Sequence, residues 1–254
     1  MADEVLTERR GRVALITLNR PEARNAINRA TAEALEAALN DAEMDAEVWA
    51  IVLTGAGDKA FCAGMDLKAF ASGETPFTAH GFAGITRRFC PKPIVCAANG
   101  SALAGGLEIM ISCDVVVAAD HARFGIPEAT IGLIAGAGGL TRLSKRVPLA
   151  VALEMALTGA PVDAERAYDV GLVNRVVPGD QVLDAAMALA ERIVKNAPLA
   201  VRASKRVVVE TLDLSDDDAW VVNDEAFGAV ARSADAMEGA VAFAEKREPK
   251  WRGA

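Results

Sequence analysis

The sequence predicts an α/β fold whose last third is helical, and three observations carry that reading. Apolar runs of strand length alternate with helical patterns through the first 145 residues, as in a sheet covered by helices. From about Ala164 the strand signals thin out and amphipathic helical spacing takes over. Hydrophobic residues make up 52% of the 254, enough for a sizeable core and too many for a disordered chain.

The segment VLTERRGRVALITLNR (5–20) alternates about Arg10-Gly11 and predicts a hairpin of two strands. Residues 31–45 set Ala34, Leu35, Ala38, Leu39 and Ala42 at helical spacing, with Thr31 as the expected cap. WAIVLTG (49–55) predicts a short buried strand, and PIVCAANG (93–100) and DVVVAA (114–119) repeat its shape. VNRVV (173–177) is the last strand-like run. Helices are expected over 181–195, 198–211, 215–231 and 235–246. No low-complexity tract separates the parts. The reading is an α/β core over residues 1–195 and a helical oligomerisation region over 196–254, packed on the core or on a partner subunit.

The 35 acidic and 27 basic side chains leave a net charge of −8, and aromatics are only 5%. That balance argues against nucleic acid and against a membrane surface, both of which favour a positive field. An anionic small molecule fits if a few cations gather locally. Cys62, Cys90, Cys96 and Cys113 include no CxxC pair, and only His80 and His121 stand ready to help them, so no metal site is expected. They read as reduced thiols packed as small hydrophobes. The N-terminal MADEVLTERRGR lacks a signal-peptide core, and the longest uncharged run (93–107) is shorter than a membrane span. The expectation is a soluble, cytoplasmic protein.

Three stretches carry more glycine and more isolated polar groups than packing asks for: AFCAGMDLK (60–68), NGSALAGGLEIMISCD (99–114) and FGIPEATIGLIAGAGGLTRL (124–143). Gly105-Gly106 opens a helix, where backbone N–H groups lack intrahelical partners and the dipole favours developing negative charge. Glu108 follows within a turn, among Leu107, Ile109 and Met110, where a carboxylate is costly unless exposed, paired or functional. Read alone, Glu108 also fits a solvated helix residue, the double glycine fits tight packing, and Glu128 after Pro127 fits an ordinary helix start.

Taken in order, these stretches resemble the crotonase (enoyl-CoA hydratase/isomerase) superfamily. The resemblance runs from Leu18-Asn19-Arg20-Pro21 through Arg24-Asn25-Ala26 to Glu245-Lys246-Arg247 and covers essentially the whole chain. It implies a spiral of strand–strand–helix repeats followed by a helical region that trimerises. It also implies an oxyanion hole from the N–H groups of Met65 and Gly105, with Glu108 and Glu128 as the acid–base pair and Gly136 beside their water. Met65 stands where many relatives have alanine, Ala104 where a third glycine is common, and Ala135 where proline is common. These departures are expected to be tolerated, since the oxyanion donors act from the backbone.

By the same resemblance the substrate is an acyl-CoA thioester, coenzyme A being its carrier rather than a permanent cofactor. Arg24 and Ala26 lie toward the CoA phosphates. Ala63, Asp66, Leu67 and Lys68 surround the adenine and pantetheine, and Phe243 and Lys246 come from a neighbouring subunit of a homotrimer or dimer of trimers. Keeping both glutamates favours hydration of 2-trans-enoyl-CoA over a Δ3,Δ2-isomerase or a non-catalytic acyl-CoA- or RNA-binding relative. The tail DAMEGAVAFAEKREPKWRG and the segment GFAGIT (81–86) are similar to carnitinyl-CoA dehydratases, the alternative activity. Against that alternative, the lid-like segment 68–90 offers Phe70, Phe77 and Phe82 and only one acid, Glu74, which suits a plain alkyl chain better than a quaternary ammonium.

Overall fold

The computed structural model describes residues 3–254. β1 (Val5–Arg10) and β2 (Val13–Leu18) form the expected antiparallel hairpin. A 3-10 turn (Pro21–Ala23) leads to α1 (Arg29–Met44). This helix corrects the expected cap: Asn28 Oδ1 accepts from the Thr31 N–H at 2.8 Å, so Thr31 lies inside the first turn. Leu35 and Leu39 of α1 are fully buried, each stabilising the fold by about 1.5–3 kcal/mol. Buried Lys92 closes its far end, donating to the carbonyls of Ala42 and Asp45 at 2.7 and 2.6 Å.

Three strand–strand–helix units follow. The first is β3 (Ala50–Gly55), β4 (Ala60–Cys62) and α2 (Leu67–Ala71), trailed by a small hairpin of β5 (Phe77–Thr78) and β6 (Gly81–Phe82). The second is β7 (Ile94–Ala98), β8 (Ser101–Leu103) and α3 (Gly105–Met110). The third is β9 (Val115–Ala119), β10 (Arg123–Gly125) and, after a 3-10 turn (Pro127–Ile131), α4 (Gly139–Arg146). Next come α5 (Leu149–Thr158), β11 (Val162–Asp163), α6 (Ala164–Asp169) and β12 (Arg175–Val177).

Each unit gives its first strand to a six-stranded sheet, ordered β1-β2-β3-β7-β9-β12, and its second to a four-stranded sheet, ordered β11-β10-β8-β4. From β2 onward the large sheet is parallel. This is the spiral that the resemblance implied. Periodicity does not reveal the small sheet, whose strands span only two or three residues each, too few to display alternation.

α7 (Val182–Val194) lies on β2, β3, β7 and β9 and belongs to the core. α8 (Pro198–Glu210), α9 (Asp216–Ala231) and α10 (Ala234–Glu245) form the helical tail close to the expected bounds. Lys205 ties α8 to the core, donating to Asp114 Oδ2 at 2.6 Å and to the Lys92 carbonyl at 3.0 Å. α9 packs on α8 and α10 on α9, leaving Trp220, Phe227 and Phe243 exposed. All four cysteines are buried and free, and burial pushes the thiols of Cys62 and Cys90 up to about 12. Among the described residues no helix is long and apolar enough to cross a membrane.

Candidate active site

The site grows from the loop between β2 and α1. Buried Asn25, at φ +55, accepts from the Arg20 N–H at 3.0 Å and donates to the carbonyls of Ala56 and Ala60 at 2.9 Å. Arg20 donates to the Ala26 carbonyl at 2.7 Å and to Asp66 Oδ2 at 3.0 Å. Asp66 also caps α2 through the amides of Lys68 and Ala69. Burial would raise its carboxyl, but those amides and the Arg20 guanidinium hold it below the usual range. Ala26 and Asp66, expected near the CoA carrier, thus form the frame of this loop.

The same loop aims Met65. Ile27 donates to the Gly64 carbonyl at 2.8 Å and accepts from the Asp66 N–H at 2.9 Å, a parallel bridge that turns the Met65 N–H away from Ile27. Gly64, at φ +95, packs so closely on the start of α3 that a methyl group there would lie 3.0 Å from Gly105 N. The segments carrying Met65 and Gly105 are therefore neighbours.

At the start of α3 the two glycines do different things. A side chain on Gly106 would collide with the Cys62 carbonyl, so this glycine serves packing. Gly105 occupies the first helical position, where an N–H has no intrahelical acceptor. The ring of Phe82 covers it, since a methyl on Gly105 would lie 2.6 Å from Phe82 Cε1 and Cζ. Phe82 is itself only 3% exposed, whereas Phe70, Phe77 and Glu74 of the same segment are exposed.

Glu108, on α3, is 3% exposed. Its Oε1 accepts from the N–H groups of Ala137 at 2.7 Å and Gly139 at 2.8 Å. Burial pushes this carboxyl above its ordinary range, while the two amides and the Arg142 guanidinium oppose the rise. Glu128 sits on the 3-10 turn before α4. Burial raises its carboxyl as well, and the charge of Glu108 adds to the rise. Its Oε2 is buried with no hydrogen-bond partner. The structure thus brings together two acids in unlike settings, one steadied by two amides of another segment and one whose buried Oε2 has no donor. Gly136 lies in the loop that supplies those amides, where an added methyl group would meet only the Ile134 carbonyl, at an ordinary contact distance of 3.7 Å.

Arg24 and Ala63 line a cleft of about 640 Å³ together with Asp58, Lys59, Ser101, Leu103 and His121. Arg24 and Lys59 against Asp58 make a locally basic lining on a chain of net charge −8, as an anionic ligand needs. Leu67 and Lys68 stand exposed on α2. Phe243, 88% exposed, and Lys246 lie at the end of α10, which packs on α9 and holds residues 250–253 through Glu238 and Asp235.

Sequence reasoning missed Ala137, Gly139 and Arg142 around Glu108, and Lys59 and His121 in the cleft. A signal existed for the first group: Gly138-Gly139 opens α4 as Gly105-Gly106 opens α3. Lys59 and His121 carry no such signal, because folding alone brings them to one cleft.

The family model for enoyl-CoA hydratase/isomerase matches residues 8–254. A carnitinyl-CoA dehydratase of Salmonella arizonae is 42% identical over 261 residues, spanning all of both chains. The crystal structure of an enoyl-CoA hydratase from Mycobacterium tuberculosis H37Rv superposes with a TM-score of 0.97 at 48% identity, covering 99% of this chain and 100% of that one. A carnitinyl-CoA hydratase from Mycobacterium avium superposes with a TM-score of 0.82 at 48% identity, covering 100% of each.

Proposed function

The chain belongs to the enoyl-CoA hydratase/isomerase family, and from that premise we propose that it adds water reversibly to a 2-trans-enoyl-CoA thioester, giving the 3-hydroxyacyl-CoA. One observation carries the reading: buried Glu108 and half-buried Glu128 interact, both carboxyls are raised by burial, and their donors differ, two amides on Glu108 Oε1 against none on Glu128 Oε2. Glu108, held by two amides, is the better carboxylate and takes a proton from water through Oε2 as the water oxygen bonds to C3. The electron pair of the double bond moves toward the thioester, whose oxygen accepts from Met65 and Gly105 N–H. Glu128, without donors to its Oε2, is the better neutral acid and protonates C2. Dehydration runs the same steps backwards, and Gly136 leaves room for the shared water.

In this proposal Arg24 meets the phosphates of the CoA carrier and the 63–68 loop its adenine and pantetheine. Phe243 and Lys246 reach the carrier from a neighbouring subunit of a trimer or dimer of trimers. The full-length similarity to carnitinyl-CoA dehydratases supports a second reading, the same chemistry on a betaine thioester. We favour the plain straight-chain substrate, because Phe82 seals the space over Gly105 and the one acid of its segment, Glu74, faces solvent. Comparing kcat/KM for crotonyl-CoA and crotonobetainyl-CoA on one preparation decides between them. A preference above about tenfold for the betaine thioester, some 1.4 kcal/mol, selects the second reading.

A further inference from the structure

Arg142 lies one turn into α4, the helix whose first amide holds Glu108 Oε1. Its side chain folds back over the helix start. Gly138, at φ +107, leaves that path open, and a methyl group there would collide with the guanidinium. From this position Arg142 Nη2 donates to the Thr86 carbonyl in the lid-like segment. Thr86 Oγ1 accepts in turn from the Phe82 N–H at 3.0 Å, and the Phe82 ring covers Gly105. One side chain therefore links the cover of the expected oxyanion site to the cradle of the expected base.

We propose that Arg142 is a positioning residue, holding residues 82–86 down over Gly105 while setting its positive charge beside the Glu108 carboxyl. Its part in turnover rests on the hydratase reading above; the contacts do not. The charged groups facing Glu108 are Glu128, from the 3-10 turn, and Arg142, from α4. Arg146, a turn further on, faces Arg142 but gives its own Nη2 to the Cys113 carbonyl. A guanidinium suits the double task because its planar fork donates to a carbonyl while its charge stays fixed across working pH. Removing it takes away the cation opposite Glu108 and the donor that fastens Thr86.

The test reads both effects without using activity. In full-length protein labelled with ¹³C at the glutamate carboxyls, the Glu108 resonance is the one missing from Glu108→Gln. Arg142→Met is expected to raise the Glu108 titration midpoint, because the cation that opposes the rise is gone. Amide exchange over residues 82–88 is expected to become at least about tenfold faster, the equivalent of losing about 1.4 kcal/mol of local protection. Arg142→Lys, which keeps the charge but not the fork, should hold the midpoint near wild type while lid exchange still quickens. A folded Arg142→Met protein with wild-type midpoint and wild-type lid exchange would overturn the proposal. If Arg142→Met does not fold, unchanged lid exchange in Arg142→Lys overturns it instead. Failure of the hydratase reading shows separately, as wild-type protein that turns over no enoyl-CoA.

Discussion

Glu128 Oε2 is buried with no hydrogen-bond partner, whereas Glu108 Oε1 accepts two amide hydrogens. Burial lifts the Glu128 carboxyl above its unfolded-state value. Its protonated form thus favours folding below the unfolded pKa, and that contribution is lost as pH rises through the raised folded value. Glu128→Gln removes this titration. Its Tm is expected to exceed wild type at pH 7 by about 2–4 °C, with the gap closing toward pH 4. Equal melting at both pH values would mean that the buried charge costs nothing. Asn25 makes the opposite case, a polar side chain whose burial is fully matched. Asn25→Ala strands its three backbone partners, and a loss of about 1–3 kcal/mol is expected from the urea midpoint. A loss below about 0.5 kcal/mol would assign the loop's order to the Arg20–Asp66 pair instead.

At the scale of elements, Ala104 is the position where local geometry and residue type disagree. It enters α3 at φ +53 and ψ −128, a conformation that glycine adopts without strain. Strain of about 1–3 kcal/mol, partly offset by the entropy of an added glycine, leaves a net gain of about 1 kcal/mol for Ala104→Gly. Its Tm is expected to rise by about 2–4 °C; a fall would show that α3 gains from the methyl group. The same helix shows what was legible in the sequence. Gly105 and Glu108 stand out because glycines and an acid in an apolar helix break its pattern. The cradle around Glu108 does not, because its donors are backbone amides of Ala137 and Gly139, and amides leave no mark on residue identity. The large sheet is legible through unbroken apolar runs such as Ala50–Gly55, while Ala60–Cys62 and Ser101–Leu103 are too short to read. Asn28 rather than Thr31 caps α1 because both are good caps, and the backbone of the preceding loop decides between them.

At the scale of the whole molecule, the helical tail leaves Trp220, Phe227 and Phe243 in solvent, and α5 exposes Leu149, Leu153 and Leu157 as one stripe. A single copy of the chain does not cover these faces. Light scattering is expected to give a closed trimer or a dimer of trimers, and a stable monomer at micromolar concentration would refute that. Lys246→Ala should then weaken CoA-thioester binding without changing particle size, whereas an unchanged KM with lower kcat would place this lysine elsewhere. The central claim is that Glu108 takes a proton from the water that adds at C3 while Glu128 protonates C2. It is tested most directly by kcat for crotonyl-CoA hydration at saturating substrate in Glu108→Gln, Glu128→Gln and the double variant. Each single change is expected to lower kcat by roughly 10²–10⁴-fold with little change in thioester affinity, and the double variant to lose less than the product of the two. Near-normal turnover in either single variant would contradict the account.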